Sequence, residues 1–238
     1  MQSALIVRFG PLDKGVDRSA DGERLVLLLT RTFYIIAAMA DLRDLSPRQR
    51  LVTTTEEMLR ESGMSGAGIK DIVARSGAPI GSLYHYFPGG KAQLVSESLR
   101  SQADKFPRLI DRFFDGRRSA AAALQAWFNA AADGFERAGA VKACAVGAVT
   151  LDLAADDEEI RTICHTAFDD WTAAIAPRLP FPDDRSRRAF ALTIVVALEG
   201  AFILAKAAKS GQPFRDVGRC LSAALPNERR PARRRAAR

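Results

Sequence analysis

The chain has 238 residues, of which 47% are apolar and 26% charged, and this apolar content is enough for a sizeable core. Its net charge is +7, but the last eleven residues, which hold six arginines and one glutamate, contribute +5 of that charge. The other 227 residues carry only +2, so the basic composition by itself does not identify the folded part as a nucleic-acid binder.

The cysteines and histidines exclude two further classes of protein. The three cysteines, Cys144, Cys164 and Cys220, are far apart and odd in number, and none lies in a Cys-x-x-Cys motif, which is typical of unpaired thiols in a reducing cytoplasm. The two histidines, His85 and His165, lack the spacing of a metal-ligand set. We therefore predict a cytoplasmic protein with no disulfide framework, no metal site and no cofactor.

One apolar stretch, Leu25–Ala40, could be mistaken for a membrane segment. It has sixteen residues with Arg31 in the middle, whereas a membrane span needs about 20 mostly apolar residues. It is also a poor signal peptide, because acidic residues precede it where a positive charge is required. We expect no membrane partner.

Residues 1–45 differ in character from the rest of the chain. Residues 10–24 contain glycine and aspartate and lack a helical stripe of apolar residues. Met39 precedes a segment that looks like the natural beginning of a helical domain. We expect residues 1–38 to be an upstream extension, disordered or produced by the choice of start site. The alternative is a genuine extra helix over 24–38 that packs on the body.

From Ser46 onward the chain predicts helices almost throughout, with no alternating strand pattern. Ser46 as N-cap and Pro47 at the first helical position are a strong start signal. The first four helices are predicted from Pro47 to Gly63, from Ile69 to Gly77, from Pro79 to Tyr86 and from Lys91 to Phe106.

A boundary is predicted near 107–118, where Pro107 and Gly116 interrupt the helical pattern. It divides a first domain, residues 46–106, from a second, residues 107–227. Five helices are predicted in the second domain, near 119–138, 145–155, 157–178, 184–210 and 214–225. The last segment, 228–238, is a basic tail without apolar periodicity and is predicted to be disordered.

The segment Ile69–Phe87 predicts two short helices joined by a tight turn at Gly77, where glycine supplies the positive φ that such a turn often needs. The second helix displays polar and aromatic groups that fit a major groove about 12 Å wide. Lys91 begins the next helix, where a cation can meet a phosphate. Another interpretation is an ordinary helical hairpin with aromatic core residues. The candidate DNA-binding residues are Gly68, Lys70, Pro79, Gly81, Ser82, Tyr84, His85, Tyr86 and Lys91.

These residues resemble the N-terminal domain of the TetR family over the run from Arg50 to Leu99. The resemblance rests on Ile-Lys-Asp-Ile-Val-Ala in the second helix and Gly-Ser-Leu-Tyr-His-Tyr-Phe in the third, followed by Lys91. The form Phe-Pro-Gly-Gly-Lys is similar to the LmrA/YxaF-type branch. Downstream, Lys-Ala-Cys-Ala-Val-Gly echoes that branch's Cys-Pro-Val-Gly segment, with Ala145 where the branch favours proline.

The resemblance implies an all-α homodimer: an N-terminal three-helix helix-turn-helix domain that binds a double-stranded DNA operator, and a C-terminal helical domain for a small-molecule effector and dimerisation. It also implies a transcriptional repressor. One departure concerns the start of the second helix, where the family often has threonine or serine. Ala67 and Gly68 occupy that place, so a hydroxyl contact to phosphate is missing.

The C-terminal domain offers aromatic side chains at helical spacing. Core packing is the ordinary role of such residues, but a pocket between bundle helices is also where a small ligand binds. No charged cluster stands out, which favours a lipophilic or aromatic effector. The candidate pocket residues are Trp127, Phe128, Phe135, Cys144, Thr150, Phe168 and Trp171.

The helix predicted from Arg187 to Lys209 is apolar nearly all round, so it must be covered on more than one side. We expect one face to pack inward and another to meet a partner subunit, together with the next helix. Glu199 is the exception in this run. We expect it to pair with an arginine or reach the rim, with ligand binding as the alternative.

Two other classes of function compete with a ligand-responsive repressor. A small helical enzyme could use Cys144 or His165, but no nucleophile with a base and an orienting group can be assembled. An adaptor tethered to a membrane through residues 25–40 fails on the length of that segment and on Arg31.

Overall fold

The computed structural model describes residues 44–117, 119–154 and 157–226, which form helices and no strands, as the sequence predicts. A single 3-10 turn, Ala176–Arg178, follows the seventh helix. The helices are α1 (Pro47–Gly66), α2 (Ile69–Ser76), α3 (Ile80–Tyr86), α4 (Gly90–Phe114), α5 (Ala120–Arg137), α6 (Ala145–Leu151), α7 (Glu158–Ile175), α8 (Asp184–Ala208) and α9 (Gln212–Ala224).

Two of the predicted segments lie outside the described residues. These are the extension over 1–38, with its alternative helix over 24–38, and the basic tail over 228–238. Within the described ranges each predicted helix is present, although the one expected over 145–155 is shorter and ends at Leu151.

Helix α1 begins at Pro47, as predicted, and is broken near its other end at Gly63. Gly63 has φ 66° and ψ −165°, a conformation that residues with a side chain rarely adopt. The carboxylate of Asp152 packs against Gly63 and accepts hydrogen bonds from N and Oγ of Ser65, both at 3.1 Å. A tertiary contact therefore sets the break, and α1 continues for one short turn to Gly66.

The turn between α2 and α3 is the one predicted from Gly77. That residue has φ 61° and ψ 16°, the left-handed conformation that glycine adopts at little cost. Arg50 Nη1 donates a hydrogen bond to the Gly77 carbonyl at 3.2 Å and so ties the turn to the start of α1. Fully buried apolar side chains hold α1 to α4 together, among them Leu51, Leu59, Ile72, Leu83, Phe87 and Leu94.

Helix α4 does not end at Phe106, so that prediction is wrong. It runs on through Pro107 to Phe114, across the predicted boundary at 107–118. Proline inside a helix removes one backbone hydrogen bond and costs about 3 kcal/mol. Burial of the neighbouring Phe106 and Ile110 offsets that cost, because each large apolar side chain contributes about 1.5–3 kcal/mol when fully buried.

Among the C-terminal helices, α9 packs against α5 and α8, whereas α6 packs against α1 and α7 packs against α4. Helix α9 lies close against α5, because a Cβ placed on Gly218 would be 2.5 Å from Cβ of Phe128. Helix α8 buries Ile194, Leu198 and Ala205 on one side. Among the described residues, α8 alone is long and apolar enough to cross a membrane. In the apolar 18-residue stretch of α8 that meets this criterion, 33% of the residues are buried within the chain.

Candidate nucleic-acid interface

Buried residues on one side of α3 fix its position, and the opposite side faces solvent. Leu83 and Phe87, four residues apart, are fully buried. Tyr84 is 55% exposed, and His85 and Tyr86 are exposed beside it, with their ring centroids 4.8 Å apart. Helix α3 therefore presents aromatic rings and hydrogen-bonding groups outward, the chemistry that can meet base edges and phosphates in a major groove.

The first residues of this segment are also accessible. Pro79 and Gly81 are exposed and Ser82 is half-buried, as expected of candidate DNA contacts. Ile80, which was not among the predicted contacts, is 51% exposed. Its spacing could have revealed it, since Ile80 lies four residues before Tyr84 and so shares the outward face of α3.

Gly68 is the N-cap of α2 and lies at the position where the family often has a hydroxyl. Gly68 has no side-chain cap, as the sequence indicates. Lys70 is exposed in the first turn. Arg75, at the other end of α2, is bound to Glu57 and Glu61, and its guanidinium lowers the pKa of the Glu61 carboxyl. Two carboxylates already neutralise Arg75, whereas Lys70 is exposed, and Lys70 stays the predicted phosphate contact of α2.

Lys91 has a partner inside the chain. Its Nζ donates to the Met64 carbonyl at 2.8 Å, so the side chain ties the start of α4 to the last turn of α1. An ammonium group has three donors, and two remain for other acceptors. The contact of Lys91 with phosphate stays a prediction, and its role in positioning α4 is an addition from the structure.

Two arginines at the start of α1 were not among the candidates. Arg48 is ion-paired with Glu97 and lies over the ring of Phe87, 5.4 Å from its centroid. Arg50 holds the turn at Gly77, and its buried Nε has no hydrogen-bond partner among the described residues. Both position the helix-turn-helix through tertiary contacts that sequence periodicity does not contain.

The candidate pocket residues fall into separate places. Trp127 and Trp171 pack against Phe106 of α4, which was not a candidate, and Phe168 packs against Trp171. Phe106 and Trp171 are stacked with centroids 4.4 Å apart and an interplanar angle of 16°. Phe128 contacts the edge of this group through Trp127 at 5.5 Å. We refer to Phe106, Trp127, Phe168 and Trp171 as the α4 aromatic cluster.

Phe135 belongs to another group of rings. It lies 5.8 Å from Phe214 of α9, which in turn packs against Phe202 of α8. Thr150 is exposed, and its Oγ1 donates to the Val146 carbonyl of its own helix at 2.8 Å. The structure therefore does not bring Phe135 or Thr150 to the α4 aromatic cluster.

Cys144 and Glu199 meet at the start of α6. Cys144 Sγ accepts a hydrogen bond from the Gly147 amide at 3.5 Å. Burial raises the pKa of Glu199 to about 7, despite a hydrogen bond with Cys144 that opposes the shift. Burial, and then the nearby Glu199, raise the pKa of the Cys144 thiol well above its usual range.

This geometry corrects the expectation for Glu199. No arginine or lysine among the described residues is within ion-pair distance of it, and its buried Oε1 has no hydrogen-bond partner there. The protonated Cys144 thiol is also a poor nucleophile, because the thiolate is the reactive form. Exposed His165 lies on a different helix, α7.

Two protein families match the chain. Residues 51–97 match the bacterial regulatory proteins of the tetR family, and residues 120–220 match the C-terminal domain of the LmrA/YxaF-like transcriptional regulators. The uncharacterised HTH-type transcriptional regulator MT0206 of Mycobacterium tuberculosis (strain CDC 1551 / Oshkosh) is 30% identical over an alignment of length 196, gaps included, that covers 77% of this chain and 98% of that protein.

Solved structures agree with this relationship. The regulatory protein TetR from Rhodobacter sphaeroides has a TM-score of 0.68 and 26% identity, over 75% of this chain and 98% of its own. The TetR family regulator CifR, solved with double-strand operator DNA, has a TM-score of 0.65 and covers 77% of this chain and 98% of its own. At 18% identity, that likeness shows the fold alone.

The relatives are transcriptional regulators, which indicates a regulator rather than an enzyme. The first match lies in the predicted N-terminal domain, and the second covers most of the predicted C-terminal domain. The chain therefore belongs to the TetR family of DNA-binding transcriptional regulators, and its C-terminal domain is of the LmrA/YxaF-like kind.

Proposed function

We propose that this protein is a homodimeric repressor that acts in the cytoplasm, binds a double-stranded DNA operator through α3, and leaves it when a small lipophilic or aromatic effector binds. Residues 46–106 contact DNA, and residues 107–227 hold the effector and the partner subunit. The observation that carries the proposal is the outward face of α3, where Tyr84 and its neighbours are exposed while Leu83 and Phe87 anchor the helix.

The dimer interface is proposed on α8. Leu192, Val196, Ile203 and Leu204 are between 53% and 63% exposed on this helix. Leu192, Val196 and Ile203 follow a spacing of four and seven residues, which places them on one face. An exposed apolar stripe of this kind is typical of a protein–protein interface. A second copy of the chain, related by a two-fold axis, covers it and presents two copies of α3 about 34–36 Å apart.

Helix α4 supports the proposed coupling between effector and DNA. The first turn of α4 is tied to α1 through Lys91. Further along α4, Phe106 is stacked on Trp171 of α7. An effector that displaces this stack shifts α4 and, with it, the helix-turn-helix. A ligand releases DNA only if it binds the DNA-incompetent state more tightly than the DNA-bound one.

DNA binding is tested by selection from a random double-stranded library followed by affinity measurement on the enriched sequence. We expect an inverted repeat with half-sites about one helical turn apart. Tyr84→Ala should weaken binding at least about tenfold, because it removes a group from the groove face. The control Leu151→Ala changes another exposed side chain, on α6. Failure to enrich any sequence, or equal affinity for Tyr84→Ala and wild type, contradicts the proposal.

The dimer is tested by light scattering on a sizing column. The wild type should have twice the chain mass of 25.9 kDa. Val196→Asp should give a monomer, because a buried unpaired carboxylate at an apolar interface is costly. Leu109→Asp, an exposed apolar position on α4, is the control and should stay dimeric. A dimeric Val196→Asp protein would place the interface elsewhere.

A further inference from the structure

Ile80 is a large apolar side chain that the fold leaves uncovered. Half of its surface is exposed, whereas the next apolar residues of the same segment, Leu83 and Phe87, are fully buried. A single exposed apolar residue is ordinary on a protein surface. Ile80 differs because it shares the outward face of α3 with Tyr84, the face that carries the candidate DNA contacts.

The neighbouring residue favours a close approach of α3 to a ligand. A Cβ placed on Gly81 would meet no atom within 4 Å, so this glycine is not required by packing inside the chain. Glycine brings the backbone nearer to a binding partner than any other residue allows. Ile80 is therefore held beside a stretch of backbone that can lie deep in a groove.

The major groove offers one apolar group to such a side chain. Adenine, guanine and cytosine present only hydrogen-bond donors and acceptors at their edges, whereas thymine presents its C5-methyl group. Isoleucine cannot donate or accept a hydrogen bond. Because it is branched at Cβ, it also has few rotamers to lose on binding.

We propose that Ile80 packs against the C5-methyl group of one thymine in each operator half-site and so selects thymine over cytosine at that position. The proposal rests on the proposed function, in which α3 enters the major groove. It adds a residue that determines specificity and the base that this residue recognises. The Lys70 ammonium and the Tyr84 hydroxyl supply affinity but have no attraction for a methyl group. The ring of Tyr84 is the competing apolar group on this face, and the Ile80→Ala variant separates its contribution from that of Ile80.

The test removes only the methyl group from the DNA. Each thymine of the selected operator is replaced in turn by deoxyuridine, symmetrically in both half-sites, and the Kd is measured by fluorescence anisotropy. Burial of one methyl contributes about 0.8 kcal/mol, so we expect one thymine position whose replacement weakens wild-type binding about fourfold per half-site. For Ile80→Ala the same replacement should change nothing.

A second measurement restores the methyl group on another base. At the identified position, cytosine should bind poorly, and 5-methylcytosine should recover about fourfold per half-site with the wild type but not with Ile80→Ala. Ile80→Val, which keeps a branched apolar side chain, should behave like the wild type. Thermal unfolding of each variant verifies that it is folded.

The outcomes separate this proposal from the one it rests on. If no operator is found, both fail. If the operator binds with wild-type affinity after every deoxyuridine replacement, or if wild type and Ile80→Ala lose the same factor at the same thymine, DNA binding stands and the role of Ile80 is overturned.

Discussion

The basic side chains near the helix-turn-helix differ in whether they already have a partner within the chain. Arg75 is held by two carboxylates and Arg48 by one, while Lys91 donates to a backbone carbonyl. Lys70 stands exposed at the start of α2. Their effects on DNA binding and on stability should therefore separate, although all four carry the same charge.

Lys70→Ala should weaken binding to every DNA sequence alike. Each phosphate contact contributes about 0.9 to the slope of log K against log salt concentration, so the slope should fall by about that amount per subunit. The melting temperature should not change. Lys91→Ala is the comparison: it should reduce the slope and also lower stability by about 1.5–3 kcal/mol, because the Met64 carbonyl loses a charged donor. If the salt dependence of binding is unchanged in both variants, neither Lys70 nor Lys91 contacts a phosphate.

The buried carboxyl of Glu199 should make stability depend on pH. Burial raises its folded pKa to about 7 from 4.5, so between these values the folded chain keeps a proton that the unfolded chain releases. Stability is then fully present below pH 4.5 and falls as the pH rises toward 7, by about 3 kcal/mol in total. Cys144, whose thiol stays protonated over this range, is the titratable group in contact with it.

Glu199→Gln tests this dependence. The variant cannot ionise, so relative to the wild type it should gain stability between pH 5 and pH 8 in urea unfolding at fixed protein concentration. Glu159→Gln serves as the control, since Glu159 is exposed and, in the part of the chain that the structure describes, is ion-paired with Arg100 at 3.3 Å. Parallel stability profiles for wild type and Glu199→Gln would show that this carboxyl is ionised in the folded state.

At the scale of elements, two glycines in helices α5 and α9 differ in the space around them. Gly218 of α9 faces Phe128 of α5 without room for a methyl group. Gly134, on α5 itself, would place a Cβ 3.9 Å from the flexible end of Arg137. Helix α9 is further fastened to α5 by Arg215, which binds Asp133 and Glu136. The guanidinium of Arg215 and the Gly211 amide lower the pKa of Glu136 to about 2.

Gly218→Ala and Gly134→Ala should have opposite effects. The first should destabilise the protein by about 1–3 kcal/mol, because the added methyl pushes α9 away from α5. The second should stabilise it by about 0.5–1 kcal/mol, because alanine is the better helix former and its methyl makes only an ordinary contact with the flexible end of Arg137. Thermal unfolding at one protein concentration measures both. If both changes stabilise the protein, local propensity rather than the α5–α9 contact controls this region, and if both destabilise it, the expectation for Gly134 is wrong.

At the scale of the whole molecule, α4 is the element shared by both halves. Its buried residues range from Leu94 and Leu99, in the N-terminal core, to Phe106 and Ile110, beside the C-terminal helices. A ligand that moves an equilibrium from 1:99 to 99:1 must prefer one state by about 5.5 kcal/mol. Two pockets in a dimer can share that preference at about half each.

Trp171→Phe tests whether the α4 aromatic cluster is the sensor. Trp171 Nε1 is buried without a hydrogen-bond partner among the described residues, so it is free to donate to an effector. With an effector found by thermal-shift screening of lipophilic compounds, the variant should keep operator affinity and need about tenfold more effector for release, the effect of one lost hydrogen bond.

Phe135→Leu provides the control for this experiment, because Phe135 packs in the other group of rings against Phe214. Its effector response should match the wild type. An equal shift in both variants would mean that the effector senses general packing of the bundle. If Trp171→Phe also responds to the effector like the wild type, the role of the tryptophan is core packing.

The sequence by itself determined the helices, the turn at Gly77 and the membership of the family. These follow from local features: apolar periodicity, capping residues, glycine at a left-handed position and the motif of α3. It also identified exposed residues of α3, among them Tyr84 and His85, because they lie off the buried spacing of Leu83 and Phe87.

Only the tertiary structure decided how far α4 extends, where Lys91 points and which aromatic rings meet. Pro107 is a local signal for the end of a helix. Burial of Phe106 and Ile110 against helices distant in sequence overrides that signal. The Met64 acceptor of Lys91 and the stack of Phe106 on Trp171 join residues 27 and 65 positions apart. Such contacts are fixed by packing between helices, which sequence periodicity does not encode.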